Sequence, residues 1–106
     1  GLEEYRKVVE SPGEALIIDV REPQEFAAGH VPGAVNIPRG LVEFRIWKQV
    51  GFPANPDTNR PVYLQCQNGN RASLAAQSLA ELGFTNTTAV VMNFDEWQQA
   101  GHPLVK

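Results

Sequence analysis

The sequence of 106 residues contains one cysteine, Cys66, and two histidines, His30 and His102. A single thiol excludes an internal disulfide and any cysteine-rich zinc site. No run of about 20 apolar residues occurs, so no membrane-spanning helix is expected. Acidic side chains outnumber basic ones 12 to 9, giving a net charge of −3. That balance provides no general attraction to nucleic acid or to anionic membranes. Internal repeats, low-complexity tracts and a signal peptide are not visible. Because the chain starts at Gly1 rather than Met, a leader removed earlier stays open. A soluble, cytoplasmic location is expected, with the periplasm as the alternative if a leader was removed.

What is present is ordinary for a globular protein: 42% hydrophobic and 20% charged residues. The length suits one domain, residues 1–106, with one real core.

The informative stretch is Cys66-Gln-Asn-Gly-Asn-Arg71 and its flanks. Before it, Arg60 to Gln65 is short, apolar and rich in β-branched and aromatic residues, which predicts a buried strand. After it, Ala72 to Leu82 followed by Gly83 predicts a helix with a glycine stop. Cys66 then lies at a strand end, in a polar loop that opens a helix, where α/β sheets place ligands. A free thiol is mostly protonated at neutral pH. The unpaired N–H groups of a helix start and the charge of Arg71 are both expected to favour the thiolate. Gly69 suits a loop that folds around its own first side chain and forms an anion-binding nest. A nucleophile beside an anion cradle points to a small, anionic, electrophilic substrate. The competing reading is a buried, inert cysteine, but Gln67, Asn68, Gly69, Asn70 and Arg71 are poor core neighbours.

The rest of the chain alternates helix and strand. Leu2 to Glu10 predicts a helix ended by Ser11-Pro-Gly, and Ala15 to Val20 a strand buried on both faces. Pro23 fits the first turn of a helix running to Ala28. Asp19 and Arg21 alternate at a strand end and point the same way. They are expected to pair and fix the loop at the edge of the site. Gly29 to Ala34 is a turn before a short strand at Val35 to Pro38. His30 in that turn is a candidate base for a Cys–His pair, and the structural role is favoured. Leu41 to Val50 predicts a helix with a broad apolar face, and Gly51 to Asn59 a loop. Leu82 is expected on the buried face of the helix after Cys66, with Ala72, Ala75, Ala76 and Leu79. Thr87 to Val91 predicts a strand, and a final helix containing Trp97, read as a core anchor, ends at Gly101. This alternation predicts an α/β domain with a mostly parallel sheet covered on both faces.

Three motifs resemble the rhodanese-like sulfurtransferase family: Asp19-Val-Arg21 with Glu25-Phe26, Gly29-His30-Val-Pro-Gly33-Ala34, and the Cys66–Arg71 loop. The resemblance covers essentially the whole chain. It implies a doubly wound α/β fold around a parallel sheet of about five strands. It implies that Cys66 carries a persulfide, and that the N–H groups of Gln67, Asn68, Gly69, Asn70 and Arg71 cradle the sulfur. Arg71 would hold an anionic donor such as thiosulfate, and Asp19 and Arg21 would support the loop. The acceptor would be cyanide or a thiol, including one on a protein. No cofactor or metal is implied, and no nucleic-acid or membrane partner. Many relatives carry Gly-Gly where this chain has Val91-Met92-Asn93-Phe94, so a narrower, more apolar rim is expected. Two alternatives are a non-enzymatic binding or persulfide-carrier module and a cysteine-loop phosphatase or arsenate reductase. The latter place one more residue between Cys and Arg than the four found here.

Overall fold

The computed structural model describes residues 2–106. Its elements follow one another as α1 (Leu2–Glu10), β1 (Leu16–Asp19), α2 (Pro23–Ala28), β2 (Val35–Asn36), a 3-10 turn (Arg39–Leu41), α3 (Val42–Gln49), β3 (Val62–Gln65), α4 (Asn70–Glu81), β4 (Thr87–Ala89) and α5 (Phe94–Gln99). The four strands form one parallel sheet in the order β2-β1-β3-β4. Ile18 lies between Val35 and Leu64, and Leu64 faces Ala89.

Parallel strands need crossovers, and the crossover helices cover both faces of the sheet. On one face α3 and α4 bury Val42, Ile46, Ala72, Ala75 and Leu79 against Ile18, Val20, Val62 and Leu64. On the other, α1 and α5 bury Tyr5, Val9, Phe94 and Trp97 against Ile17, Val90 and Met92. Strand β1 is buried along its whole length, as its continuous apolar run requires. Trp97 is fully buried and donates its indole N–H to the Pro103 carbonyl at 2.8 Å.

Four strands were legible in the residues, and four are seen among the described residues. The resemblance implied about five; outside these strands there is an isolated antiparallel bridge between His30 and Val105. Leu82 is the one misplaced member of the α4 face. It is 42% exposed, whereas Phe84 is buried. Gly83 takes a left-handed φ of 102°, and the Phe84 N–H reaches back to the Leu79 carbonyl at 3.0 Å. That is a Schellman ending. It turns Leu82 outward and folds Phe84 onto the core, where its ring lies 5.1 Å from that of Trp47. The apolar face of α3 is also narrower than its composition suggests: Phe44 points to solvent.

Candidate active site

Cys66 immediately follows β3, and its side chain is fully buried. Helix α4 begins earlier than the apolar spacing indicated, at Asn70, so Arg71 is its second residue. The N-cap is Gly69, at φ 97°, a left-handed conformation that glycine adopts without a Cβ penalty. A helix start leaves N–H groups without acceptors, and an N-cap side chain usually satisfies one of them. Glycine has no side chain to offer. The Cys66 sulfur takes that place. Its Sγ accepts the N–H of Gly69 at 3.0 Å and that of Ala72 at 3.4 Å. The loop backbone therefore points positive dipole at the sulfur, an arrangement that stabilises negative charge there.

The hydrogen bonds to the sulfur come from backbone N–H groups and not from the side chains of the loop. Asn68 Oδ1 accepts the Asn70 N–H at 3.1 Å, tightening the turn. Asn68 and Asn70 are exposed, and Gln67 is partly exposed. Its carbonyl accepts the Phe94 N–H at 2.8 Å, which ties the loop to the start of α5. Ala72 was not among the cradle residues expected from the sequence. The signal for it was positional, since it is the third residue after the glycine cap.

Arg71 is half-buried and forms an end-on ion pair with Glu25, Nη1 to Oε1 at 2.8 Å and Nη2 to Oε2 at 3.1 Å. Glu25 lies in the first turn of α2 and also accepts the Glu22 N–H at 2.9 Å in a capping box. The Arg71 hydrogen bond is the main cause that holds the Glu25 carboxyl down at about 2. The same bond raises Arg71 further above its ordinary value, with the Cys66 sulfur and Asp19 contributing. Glu25 was seen in the sequence only as part of a motif. Its partner lies 46 residues away, beyond any local pattern.

Asp19 and Arg21 form the pair that their alternation suggested. Arg21 Nη2 and Nε donate to the Asp19 carboxylate at 2.8 to 3.1 Å, and Asp19 also accepts the Arg21 N–H at 3.0 Å. Both are buried. Arg21 further donates to the Gly29 carbonyl at 2.7 Å and stacks 4.2 Å over the Phe94 ring. The pair thus clamps the end of β1, the Gly29 turn and the start of α5 together.

His30 is occupied in its turn. Its Nδ1–H donates to the Phe26 carbonyl at 2.8 Å and its ring stacks on Phe26. The rim beside the loop is formed by Val91, which is 79% exposed, while Met92 is buried. A Cβ on Gly69 would meet the Val91 Cα at 3.4 Å. Asn93 caps α5 through Asp95 and Glu96. A concavity of about 390 Å³ lined by Tyr5, Tyr63, Val90 and Val91 shares this rim but does not include Cys66. Among the described residues, no group of three or more His, Cys, Asp or Glu is placed to hold a metal ion, and no helix is long and apolar enough to cross a membrane.

Residues 2–100 match the family model described as Rhodanese-like domain. A candidate sulfur carrier protein of Bacillus subtilis, YrkF, is 35% identical over 97 residues, covering 91% of this chain and 48% of the relative. The chain thus spans about half the length of that relative. The thiosulfate sulfurtransferase GlpE of Pseudomonas entomophila is 32% identical over 84 residues, 79% of this chain and 71% of the relative. Among solved structures, a rhodanese with anions from E. coli superposes with a TM-score of 0.72 at 34% identity, covering 87% of this chain and 98% of that one.

Proposed function

The chain belongs to the rhodanese-like domain family, and on that premise we propose that it is a sulfurtransferase working through a Cys66 persulfide. The sulfane sulfur comes from thiosulfate or a related donor and passes to a thiophilic acceptor, cyanide in an assay or a thiol in the cell. The observation that carries this reading is the seat of Cys66 Sγ, a buried sulfur facing the N–H groups of Gly69 and Ala72 at the mouth of α4. The amides suit the negative charge of a persulfide.

In the first half-reaction the Cys66 thiolate attacks the outer sulfur of thiosulfate. The Sγ–S bond forms, the S–SO₃ bond breaks, and sulfite leaves with the electron pair. In the second, the acceptor attacks the outer sulfur of the persulfide and restores the thiolate. Two covalent half-reactions predict ping-pong kinetics. Arg71 is the cation nearest Cys66 in chain order, and Asp19 with Arg21 braces Phe94, whose N–H holds the Gln67 carbonyl of the loop. The spacing of four residues between Cys66 and Arg71 supports a cradle for one sulfur atom over one for a tetrahedral phosphate. The similarity to a candidate sulfur carrier supports a second reading, in which the same persulfide serves a dedicated protein acceptor.

The test is direct. The protein is incubated with thiosulfate, freed of excess, and weighed intact before and after cyanide. A gain of one sulfur atom, removed by cyanide and absent in Cys66→Ala, is the expected result. No gain while Cys66 still alkylates would reject thiosulfate as the donor.

A further inference from the structure

The cations bonded around the Cys66 loop are already matched. Arg21 is paired with Asp19, and Arg71 with Glu25. Glu25 is held by a second contact, the Glu22 N–H, so leaving Arg71 would disturb a capping bond of α2 as well. Arg71 therefore meets the site as half of a neutral pair. Its remaining N–H groups can still donate, but its charge is largely compensated. Beside the loop stands an exposed apolar side chain, Val91.

Donors differ in what they ask of that pair. Thiosulfate enters as a dianion and sulfite leaves as one, so its transfer draws on an uncompensated cation. An organic persulfide, RS–SH, reacts with a different balance. Cys66 Sγ attacks the terminal sulfur, the Sγ–S bond forms and the RS–S bond breaks. The electron pair leaves on RS⁻, which takes the proton of the transferred sulfur and departs as neutral RSH. One negative charge enters on Cys66 and one stays, on the outer persulfide sulfur inside the amide cradle.

Given the reading of Cys66 as a persulfide-forming nucleophile, we infer that Glu25 makes this site selective for an organic persulfide over thiosulfate. Glu25 acts through Arg71 as a specificity-determining residue, and the exposed Val91 suits the carbon-bearing arm of such a donor.

The experiment follows loading of Cys66 by intact mass over time, with equal concentrations of thiosulfate or glutathione persulfide, in the wild type and in Glu25→Gln. The wild type is expected to load faster from glutathione persulfide, by roughly tenfold or more. In Glu25→Gln the ratio should move toward thiosulfate by roughly five- to tenfold, through a lower KM for thiosulfate, as expected for uncovering a partly exposed charge. Sulfite should also bind the variant more tightly. Thiosulfate loading the wild type as fast as the persulfide would overturn the inference, whether or not the variant folds. So would a ratio that Glu25→Gln leaves unmoved or shifts the other way. Failure of both donors to add sulfur, with Cys66 still alkylated by iodoacetamide, would instead reject the sulfur-transfer reading and the inference with it.

Discussion

The carboxylate of Glu25 meets the guanidinium of Arg71 end-on, with contacts of 2.8 and 3.1 Å across 46 residues of sequence. It joins the first turn of α2 to the first turn of α4. Glu25 sits near the positive end of its own helix, where an acidic side chain is favoured, and hands its free lone pairs to Arg71 of the Cys66 loop. The same contact orients Arg71 and offsets its field with an opposite charge, while keeping the guanidinium protonated. Orientation and attenuation are separable by experiment.

Glu25 should titrate far below an ordinary glutamate. Its carboxyl is lowered from 4.5 to about 2, chiefly by the Arg71 hydrogen bond. A depressed pKa stabilises the folded state at every pH above the unfolded value. The contribution of this pair is therefore full above about pH 4.5 and is lost as pH falls toward 2. Carbon-detected NMR of the Glu25 carboxyl is expected to show a midpoint near 2 in the wild type. In Arg71→Ala the midpoint should rise toward 4.5, and an unmoved midpoint would mean the pair does not form in solution.

Cys66→Ser should abolish persulfide formation while the protein stays folded, because serine fills the same buried seat. Gly69→Ala tests the cradle separately. Its φ of 97° is unfavourable for alanine, while the new Cβ would only reach contact distance of the Val91 Cα, 3.4 Å. A loss of roughly 1–2 kcal/mol in stability is expected, with slower loading of Cys66 as the Gly69 N–H shifts. Urea unfolding and timed intact mass read the two effects independently.

Arg71→Ala removes the charged donor beside the loop. Loss of one preorganised donor from an anion hole lowers a rate by roughly 10²–10³, and a fall of that size is expected in thiosulfate:cyanide turnover. Circular dichroism should show an intact fold. A rate within about threefold of the wild type would remove Arg71 from the mechanism, given the 10²–10³ expected.

Asp19→Asn should cost stability more than activity. It leaves the buried guanidinium of Arg21 without its counter-ion, and breaking one side of a buried pair costs about 3–5 kcal/mol. Replacing Asp19 and Arg21 together with apolar residues should cost less than the single change. Chemical denaturation of the two variants and the wild type checks the order.

Much of this architecture could be read from local pattern. The continuous apolar run at Leu16–Asp19, the helical spacing of Tyr5 and Val9, Pro23 at a helix start and Gly83 past a helix end each act within a few residues. They placed every element in order, and with it Cys66 at a strand–helix junction. The Asp19–Arg21 pair was legible for the same reason, being two residues apart on one strand end.

The chain alone thus determined the element order, the parallel sheet and the position of Cys66, because hydrophobic periodicity and turn chemistry are short-range. Tertiary packing decided the rest. It seated Phe84 on the core beside Trp47, once the local Schellman ending at Gly83 had turned Leu82 outward. It joined Val105 to His30 through one antiparallel bridge. It brought Glu25 to Arg71 and the Ala72 N–H to the Cys66 sulfur. Those contacts depend on how two helix starts meet over the ends of β1 and β3, and no interval in the sequence encodes that distance.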